Sequence, residues 1–202
     1  MGHGSARVVR GRSRWVTHIG KVQITVKTKL TDALRTIGLK PHDIEFIAIS
    51  HSHFDHIGNG NLFAASTWIV DADEHAWAFR TSARSQPGFT AYRELESART
   101  RKMEGHGDLD VFGDGTVMLV QAPGHTPGHM VLLLRLQSAG AVLLAGDLWN
   151  TPESRAPARG SPEELASINK IEALIAAEKA RVVRQHVLAD FASLPTFPGF
   201  LH

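Results

Sequence analysis

Apolar residues recur along the chain at two spacings, and the spacing predicts which element each segment forms. Alternating or short continuous apolar runs are typical of strands, and apolar positions three and four apart are typical of helices. Strands are predicted over residues 22–26, 44–49, 67–70, 116–120, 130–136, 141–145 and 181–184. Helices are predicted near residues 30–37, 71–82, 90–103 and 161–179. Strands and helices mixed in this order predict a layered α/β (α+β) domain.

Several helix ends are marked by individual residues. Ser161 followed by Pro162 and two glutamates is a strong N-terminal signal, because the serine can cap the helix and proline suits its first position. Gly38 suits the end of the first helix, where a left-handed residue is common. Asp71 or Asp73 can cap the helix that follows strand 67–70. These signals fix the order of elements around the polar segments described next.

Histidine is the residue whose number is unusual, with 12 among 202 residues. The segment from Ile49 to Gly58 places His51, His53, Asp55 and His56 directly after a strand predicted to be buried. Residues two apart in extended backbone point to the same side, so His51 and His53 can bind one metal. Asp55 and His56, past the bend, turn toward a second position. Imidazole and carboxylate together suit zinc, manganese or iron, of which zinc is the commonest.

Three further segments place a polar side chain after a predicted strand. His125 lies in the turn Gly-His-Thr-Pro-Gly-His after strand 116–120, Asp147 follows strand 141–145, and His186 follows strand 181–184. Ligands gathered at the ends of several strands are what a layered sheet fold offers to a pair of metals. The candidate metal ligands are therefore His51, His53, Asp55, His56, His125, Asp147 and His186. The turn alone does not decide whether His129 also faces the site.

Composition and charge exclude other classes of protein. A formal net charge of +2 is too small to indicate a nucleic-acid partner, and without cysteine neither disulfides nor thiolate metal sites can form. No apolar run approaches the roughly 20 residues of a membrane span, and the N-terminus lacks the apolar core of a signal peptide. We therefore expect a cytoplasmic protein with a small-molecule substrate. The basic, glycine-rich residues 1–20 are expected to be a flexible tail before a single domain over residues 21–202.

Together these motifs resemble the metallo-β-lactamase superfamily over roughly residues 30–200. The resemblance implies an αββα sandwich with the metal site at one edge of two packed sheets. It implies that His51, His53 and His125 hold one metal. The second metal would be held by Asp55, His56 and His186, with Asp147 bridging the two. Within the superfamily, the Gly-His-Thr-Pro-Gly-His turn and the two-metal set are similar to N-acyl-homoserine lactonases and their hydrolase relatives.

The resemblance implies a dinuclear zinc-dependent hydrolase that acts on a lactone or related ester by attack of a metal-bridging hydroxide. Asp55 is then both a ligand and the catalytic residue that carries the proton from the nucleophile to the leaving group. Manganese, iron or cobalt could stand in for zinc. The alternatives are a β-lactamase or thioesterase of the same fold, or a non-catalytic metal-binding module. Lactonases of this fold often have a tyrosine shortly after the bridging aspartate, whereas Leu148, Trp149 and Asn150 follow Asp147 here.

The segment before the first histidine motif is shorter than in relatives of this kind. A sandwich with a shortened N-terminal half is therefore expected. Such a chain would leave an unpaired sheet edge, and an unpaired edge favours pairing with a second copy or lowers thermal stability. A homo-oligomer is accordingly one expected state of the protein.

Overall fold

In the part of the chain that the structure describes, the strands lie in three sheets. The structure is a computed structural model, which describes residues 15–19, 22–105, 107–149 and 160–202. The strands are β1 Trp15–Ile19, β2 Val22–Val26, β3 Phe46–Ala48, β4 Thr67–Asp71, β5 Thr100–Met103, β6 Leu109–Asp110, β7 Val117–Gln121, β8 Met130–Leu136, β9 Gly140–Leu144 and β10 Arg181–Val183. The larger sheet has the order β10-β9-β8-β7-β6, the second has the order β3-β4-β5, and β1 pairs with β2 alone.

Among the described residues, one α-helix is long and the others are short. They are α1 Leu30–Thr36, α2 Phe54–Ile57, α3 Ala72–Ala78, α4 Pro162–Glu178 and α5 Leu188–Ala192. Turns of 3-10 helix cover Pro41–Asp43, Gly60–Phe63, Thr81–Ser85, Phe89–Ala91 and Arg93–Ser97. Within the described residues, no helix is both long enough and apolar enough to cross a membrane.

The two larger sheets pack face to face, because alternate residues of each strand point to opposite faces. Ile69 and Met103 of the three-stranded sheet share a buried cluster with Leu119 and Met130 of the five-stranded sheet. A burial of this kind contributes about 1.5–3 kcal/mol for each large apolar side chain. The alternation therefore produces the apolar layer between the sheets.

Helices cover the two outer faces. Val131 and Leu133 of β8 pack against Ile168 and Ile171 of α4. On the other side, Trp68 and Val70 of β4 lie in one cluster with Tyr92 and Leu95 of the 3-10 turns and Ala78 of α3. The order from outside to outside is helix, sheet, sheet, helix, which confirms the predicted αββα sandwich.

The predicted start of α3 and both predicted ends of α4 are confirmed, whereas α3 stops at Ala78, earlier than the predicted residue 82. The Ser161 hydroxyl accepts from the Glu164 N–H at 3.1 Å, and α4 ends at Lys179, whose φ of 51° is left-handed. The Asp71 carboxylate caps α3 by accepting from the N–H groups of Asp73 and Glu74. Local side-chain chemistry fixes these ends, so they could be predicted without the fold.

The helix predicted over residues 90–103 is wrong. The segment forms two 3-10 turns, and then β5 pairs in parallel with β4, Trp68 opposite Thr100. Tyr92 and Leu95 are buried in short turns that close over Trp68. Pairing with a neighbouring strand outweighed the local helical spacing, which is a weak preference by comparison.

Two N-terminal predictions also need correction. Strand 44–49 is shorter and less buried than predicted, because β3 is the edge of its sheet and Phe46 and Ala48 are exposed. Within the predicted tail 1–20, residues 15–19 form β1, paired with β2. Residues 1–14 and 20 lie outside the described residues. The division into tail and single domain otherwise stays a prediction, as does the homo-oligomer.

Candidate metal centre

Strand directions bring the four predicted segments to one edge of the sandwich. β7 and β9 both run antiparallel to β8, and β10 runs parallel to β9, so the ends of β7, β9 and β10 lie together. The Met130 N–H at the start of β8 donates to the carbonyl oxygen of Ser50 at 3.0 Å. This bond joins the loop after β3, on the other sheet, to the same edge.

Four side chains form a first group. The Nδ1 atom of His53 lies 2.9 Å from Nε2 of His51 and 3.0 Å from Nε2 of His125. Oδ2 of Asp147 lies 3.5 Å from Nε2 of His125 and 3.9 Å from Nε2 of His51. Ligands about 2.0–2.1 Å from a tetrahedral zinc ion are about 3.3 Å apart, so these separations suit one such ion.

A second group shares the same aspartate. Oδ2 of Asp55 lies 3.6 Å from Nε2 of His56 and 3.4 Å from Nε2 of His186. Oδ1 of Asp147 lies 3.2 Å from Nε2 of both histidines. The two oxygens of Asp147 therefore face different groups, one each. All seven predicted residues come together in these two candidate metal sites.

Among the residues that the structure describes, two polar atoms at the junction of the groups find no hydrogen-bond partner. Nε2 of His56 and Oδ1 of Asp147 are both buried and unpaired, although they lie 3.2 Å apart. An unsatisfied buried polar atom costs about 1–3 kcal/mol. A divalent cation beside a nitrogen lone pair and a carboxylate oxygen would remove that cost. The donor set thus fits a metal, by its chemistry and by its orphaned atoms.

Two histidines of the first group, His51 and His53, are held in the neutral form that binds metals. Burial, followed by the neighbouring histidines, lowers the pKa of His51, and burial and His125 lower the pKa of His53. The Ser50 hydroxyl lies 3.1 Å from Nδ1 of His51. With the proton on Nδ1 and donated to Ser50, the Nε2 lone pair faces the group.

The aspartate shared by the groups is held as an anion. Burial alone would raise the pKa of Asp147, but the close approach of His56, together with the nearby His51 and His186, holds the pKa well below its ordinary value. Exposure increases from the first group to the second: His51 is fully buried, whereas the side chains of Asp55 and His186 are 37% and 44% exposed. A substrate would therefore reach the site from the second group.

His129, which the sequence left undecided, lies beneath the site. Its Nδ1–H donates to the carbonyl oxygen of Ala122, and its Nε2 accepts from the backbone N–H of Asp147, both at 3.1 Å. Gly146 makes the second bond possible, because a side chain there would overlap the His129 ring and its φ of 53° suits glycine. Both ring nitrogens are used, so His129 supports Asp147 and is not in either group.

The residues that follow Asp147 belong to the core. Leu148 and Trp149 are buried in the cluster that packs β8 and β9 against Ile168 and Ile171 of α4. Their side chains are therefore not available to a substrate. Asn150 lies outside the described residues.

Sequence reasoning missed Glu74. This residue is fully buried on α3, and its carboxylate contacts the loops on both sides of the first group. An acidic residue in the first turn of a helix is common, because the helix dipole favours it, so the sequence carried no signal of this role.

We predict that the metal-free protein becomes less stable as the pH falls from about 6.5 to about 3. Burial, more than the charge of His125, lowers the pKa of His129 from 6.5 to about 3, and the pKa values of His51 and His53 are lowered too. In this range the unfolded chain binds more protons than the folded chain, so the free energy of unfolding falls with pH. The slope is up to about 1.4 kcal/mol per pH unit for each such histidine.

Urea unfolding with a chelator present, at pH 7.5 and pH 5.5, measures this effect. His129→Gln should give a shallower dependence on pH, whereas His42→Gln, at an exposed position, should match the wild-type slope. An unfolding free energy that did not change over this range would contradict the burial of neutral histidines.

Comparison with known proteins points to one family. A family model described as the metallo-beta-lactamase superfamily matches residues 16–186. The chain is 28% identical over 177 residues to the N-acyl homoserine lactonase AttM of Azorhizobium caulinodans, which covers 83% of this chain and 67% of that protein. It is 29% identical over 184 residues to an N-acyl homoserine lactonase of a Bacillus species, with 89% and 70% covered.

A solved structure is similar as well. It is an N-acyl homoserine lactone hydrolase with the product N-hexanoyl-L-homoserine bound at its catalytic metal centre. The TM-score is 0.73 at 27% sequence identity, over 89% of this chain and 72% of that one.

Proposed function

Because the chain belongs to the metallo-beta-lactamase superfamily, we propose that it is a dinuclear zinc-dependent hydrolase that opens the ring of an N-acyl homoserine lactone or cleaves a related ester. That the protein is a metal-dependent hydrolase follows from its membership of this family. The observation that carries the dinuclear part is the placement of Asp147, whose two oxygens face two separate groups of ligand atoms. The similar lactonases and the product-bound hydrolase support the substrate class.

Each group would hold one cation. In the first, His51, His53 and His125 would offer three imidazole nitrogens. In the second, Asp55, His56 and His186 would offer one carboxylate oxygen and two nitrogens, and Asp147 would contribute one oxygen to each. Nitrogen and oxygen ligands of this kind suit zinc, and also manganese, iron or cobalt. A pair of bound cations supplies an activated water near neutral pH and polarises a carbonyl oxygen.

Asp55 is the group placed to move the proton. Its carboxylate is 37% exposed, on the side where the substrate would enter, and it has no nearby lysine or arginine among its charged contacts in the described part of the chain. As water adds to the carbonyl carbon, its proton passes to Asp55. When the ring carbon–oxygen bond breaks, Asp55 returns the proton to the leaving oxygen. The product of ring opening is one molecule that carries both an acid and an alcohol group, and the Asp55 carboxylate is regenerated.

A substrate panel tests this proposal. Zinc-loaded protein is assayed on N-hexanoyl-homoserine lactone, a simple γ-lactone, a thioester and a β-lactam, with His51→Ala purified in the same way as a control for contaminating enzymes. We expect opening of the lactones, lost on chelation and restored by zinc. Hydrolysis of the thioester or β-lactam alone would contradict the substrate class. Hydrolysis of none of them by metal-loaded protein would indicate a metal-binding module without catalytic activity.

A further inference from the structure

Glu74 lies beneath the first group and contacts both loops that carry its histidines. Its Oε1 atom accepts from the backbone N–H of Ser52 at 2.7 Å and from the Ser52 hydroxyl at 2.6 Å. Its Oε2 atom accepts from the Thr126 hydroxyl at 2.6 Å and from the Gly128 N–H at 3.2 Å. The carboxylate therefore accepts four hydrogen bonds, two on each oxygen.

The donors lie directly beside the candidate ligands. Ser52 stands between His51 and His53, and Thr126 follows His125. The loop that carries His51 and His53 and the loop that carries His125 come from different sheets. His53 and His125, whose ring nitrogens are in contact, are 72 residues apart in the sequence. One buried side chain thus joins the segments whose three ring nitrogens converge.

We propose that Glu74 is a positioning residue that fixes the distance between these loops and so sets the affinity of the first group for a divalent cation. The inference rests on the metal site of the proposed function. Glu74 touches no ligand atom itself and acts through Ser52, Thr126 and Gly128.

The chemistry of the contacts requires a carboxylate. An ionised carboxylate has only acceptors, and two donors on each oxygen match its lone pairs. An amide of the same shape accepts on one side only, and its NH₂ group would face the two donors on the other side. The backbone N–H on that side cannot turn into an acceptor and would be left buried without a partner, so the loops would move apart to recover other partners.

The helix that carries Glu74 is itself fixed against both sheets. Asp71, at the end of β4, caps α3 and also accepts a hydrogen bond from the side-chain amide of Gln121 at the end of β7. Gly128 lies in direct contact with the start of α3, because a side chain at residue 128 would overlap Asp71 and the Glu74 backbone. The position of the Glu74 carboxylate is therefore set by the fold and can in turn set the position of the loops.

Glu74→Gln tests the inference, with Asp73→Asn as its matched control. Asp73 lies next to Glu74 in the first turn of the same helix and is exposed, so both variants remove one negative charge at the helix N-terminus. Zinc affinity is measured by competition with a chromophoric chelator, and the visible spectrum of the cobalt-loaded protein reports ligand geometry. Thermal unfolding of the metal-free variants reports the fold.

We expect Glu74→Gln to weaken zinc binding at the first group by about 10–100-fold, the usual effect of removing a partner that orients metal ligands, and to change the cobalt spectrum. Asp73→Asn should match the wild type in both. If Glu74→Gln lowered only the unfolding temperature and left zinc affinity and spectrum unchanged, Glu74 would be merely structural and the inference wrong.

Two milder variants decide the question if Glu74→Gln does not fold. Ser52→Ala and Thr126→Val each remove one of the four hydrogen bonds to Glu74, and each should weaken zinc binding. If both variants bound zinc with wild-type affinity, the inference would be wrong. Wild-type protein that binds no zinc would contradict the proposed function. Tight wild-type binding with unchanged variants would contradict only the role of Glu74.

Discussion

Asp55→Asn is expected to lower kcat on the lactone by about 10²–10⁴-fold, the usual contribution of general acid–base catalysis, with both metals still bound. Asparagine keeps the shape of the side chain and one oxygen toward His56 and His186, but it cannot accept a proton. Metal content and steady-state kinetics on the same preparation measure the two effects separately. Asp55→Ala should also lose occupancy of the second group, so its rate should fall further.

The matched control is Asp73→Asn, an exposed aspartate away from both groups, which should leave kcat unchanged. Near-normal turnover by Asp55→Asn with both metals bound would mean that another group carries the proton. His129 cannot be that group, because both of its ring nitrogens are hydrogen-bonded and its side chain is fully buried.

Asp147→Ala is expected to empty the second group and to abolish measurable hydrolysis. The first group keeps three convergent nitrogens, from His51, His53 and His125, which can hold a zinc ion with water as the fourth ligand. The second group keeps Asp55, His56 and His186, two of which are substantially exposed and free to turn away. Metal analysis after gel filtration should therefore give about one ion per chain for this variant.

Asp147→Asn serves as the comparison, because it keeps one ligand oxygen, while both variants retain the backbone N–H that donates to His129. It should retain more of the second metal than Asp147→Ala. Loss of the first metal while the second stays bound would contradict the assignment of ligands to groups.

Elements of the fold could be predicted from the sequence where the local pattern of apolar or capping residues favours the same element that tertiary packing favours. Alternating and continuous apolar runs identified β4, β7, β8 and β9, and Ser161 with Pro162 marked the start of α4. The polar residues after these strands could be named because strand ends converge at a sheet edge. The order of strands and helices thus decides which residues converge, and that order can be predicted from the sequence.

Long-range contacts decided what the sequence could not. β5 reads locally as the end of a helix and becomes a strand only because β4 offers it a partner. His125 and His129 lie in one turn and have the same chemistry, yet Ala122 and the backbone of Asp147 take both nitrogens of His129. Glu74 likewise owes its position to two loops that approach each other only in the folded chain.

The number of metal ions bound per wild-type chain is a direct test of the dinuclear centre. Metal-free protein is titrated with zinc, excess metal is removed by gel filtration, and zinc and protein are both quantified. We predict two ions per chain, because Asp147 presents one oxygen to each of two ligand groups. At most one ion per chain, even after loading with excess zinc, would contradict the dinuclear centre.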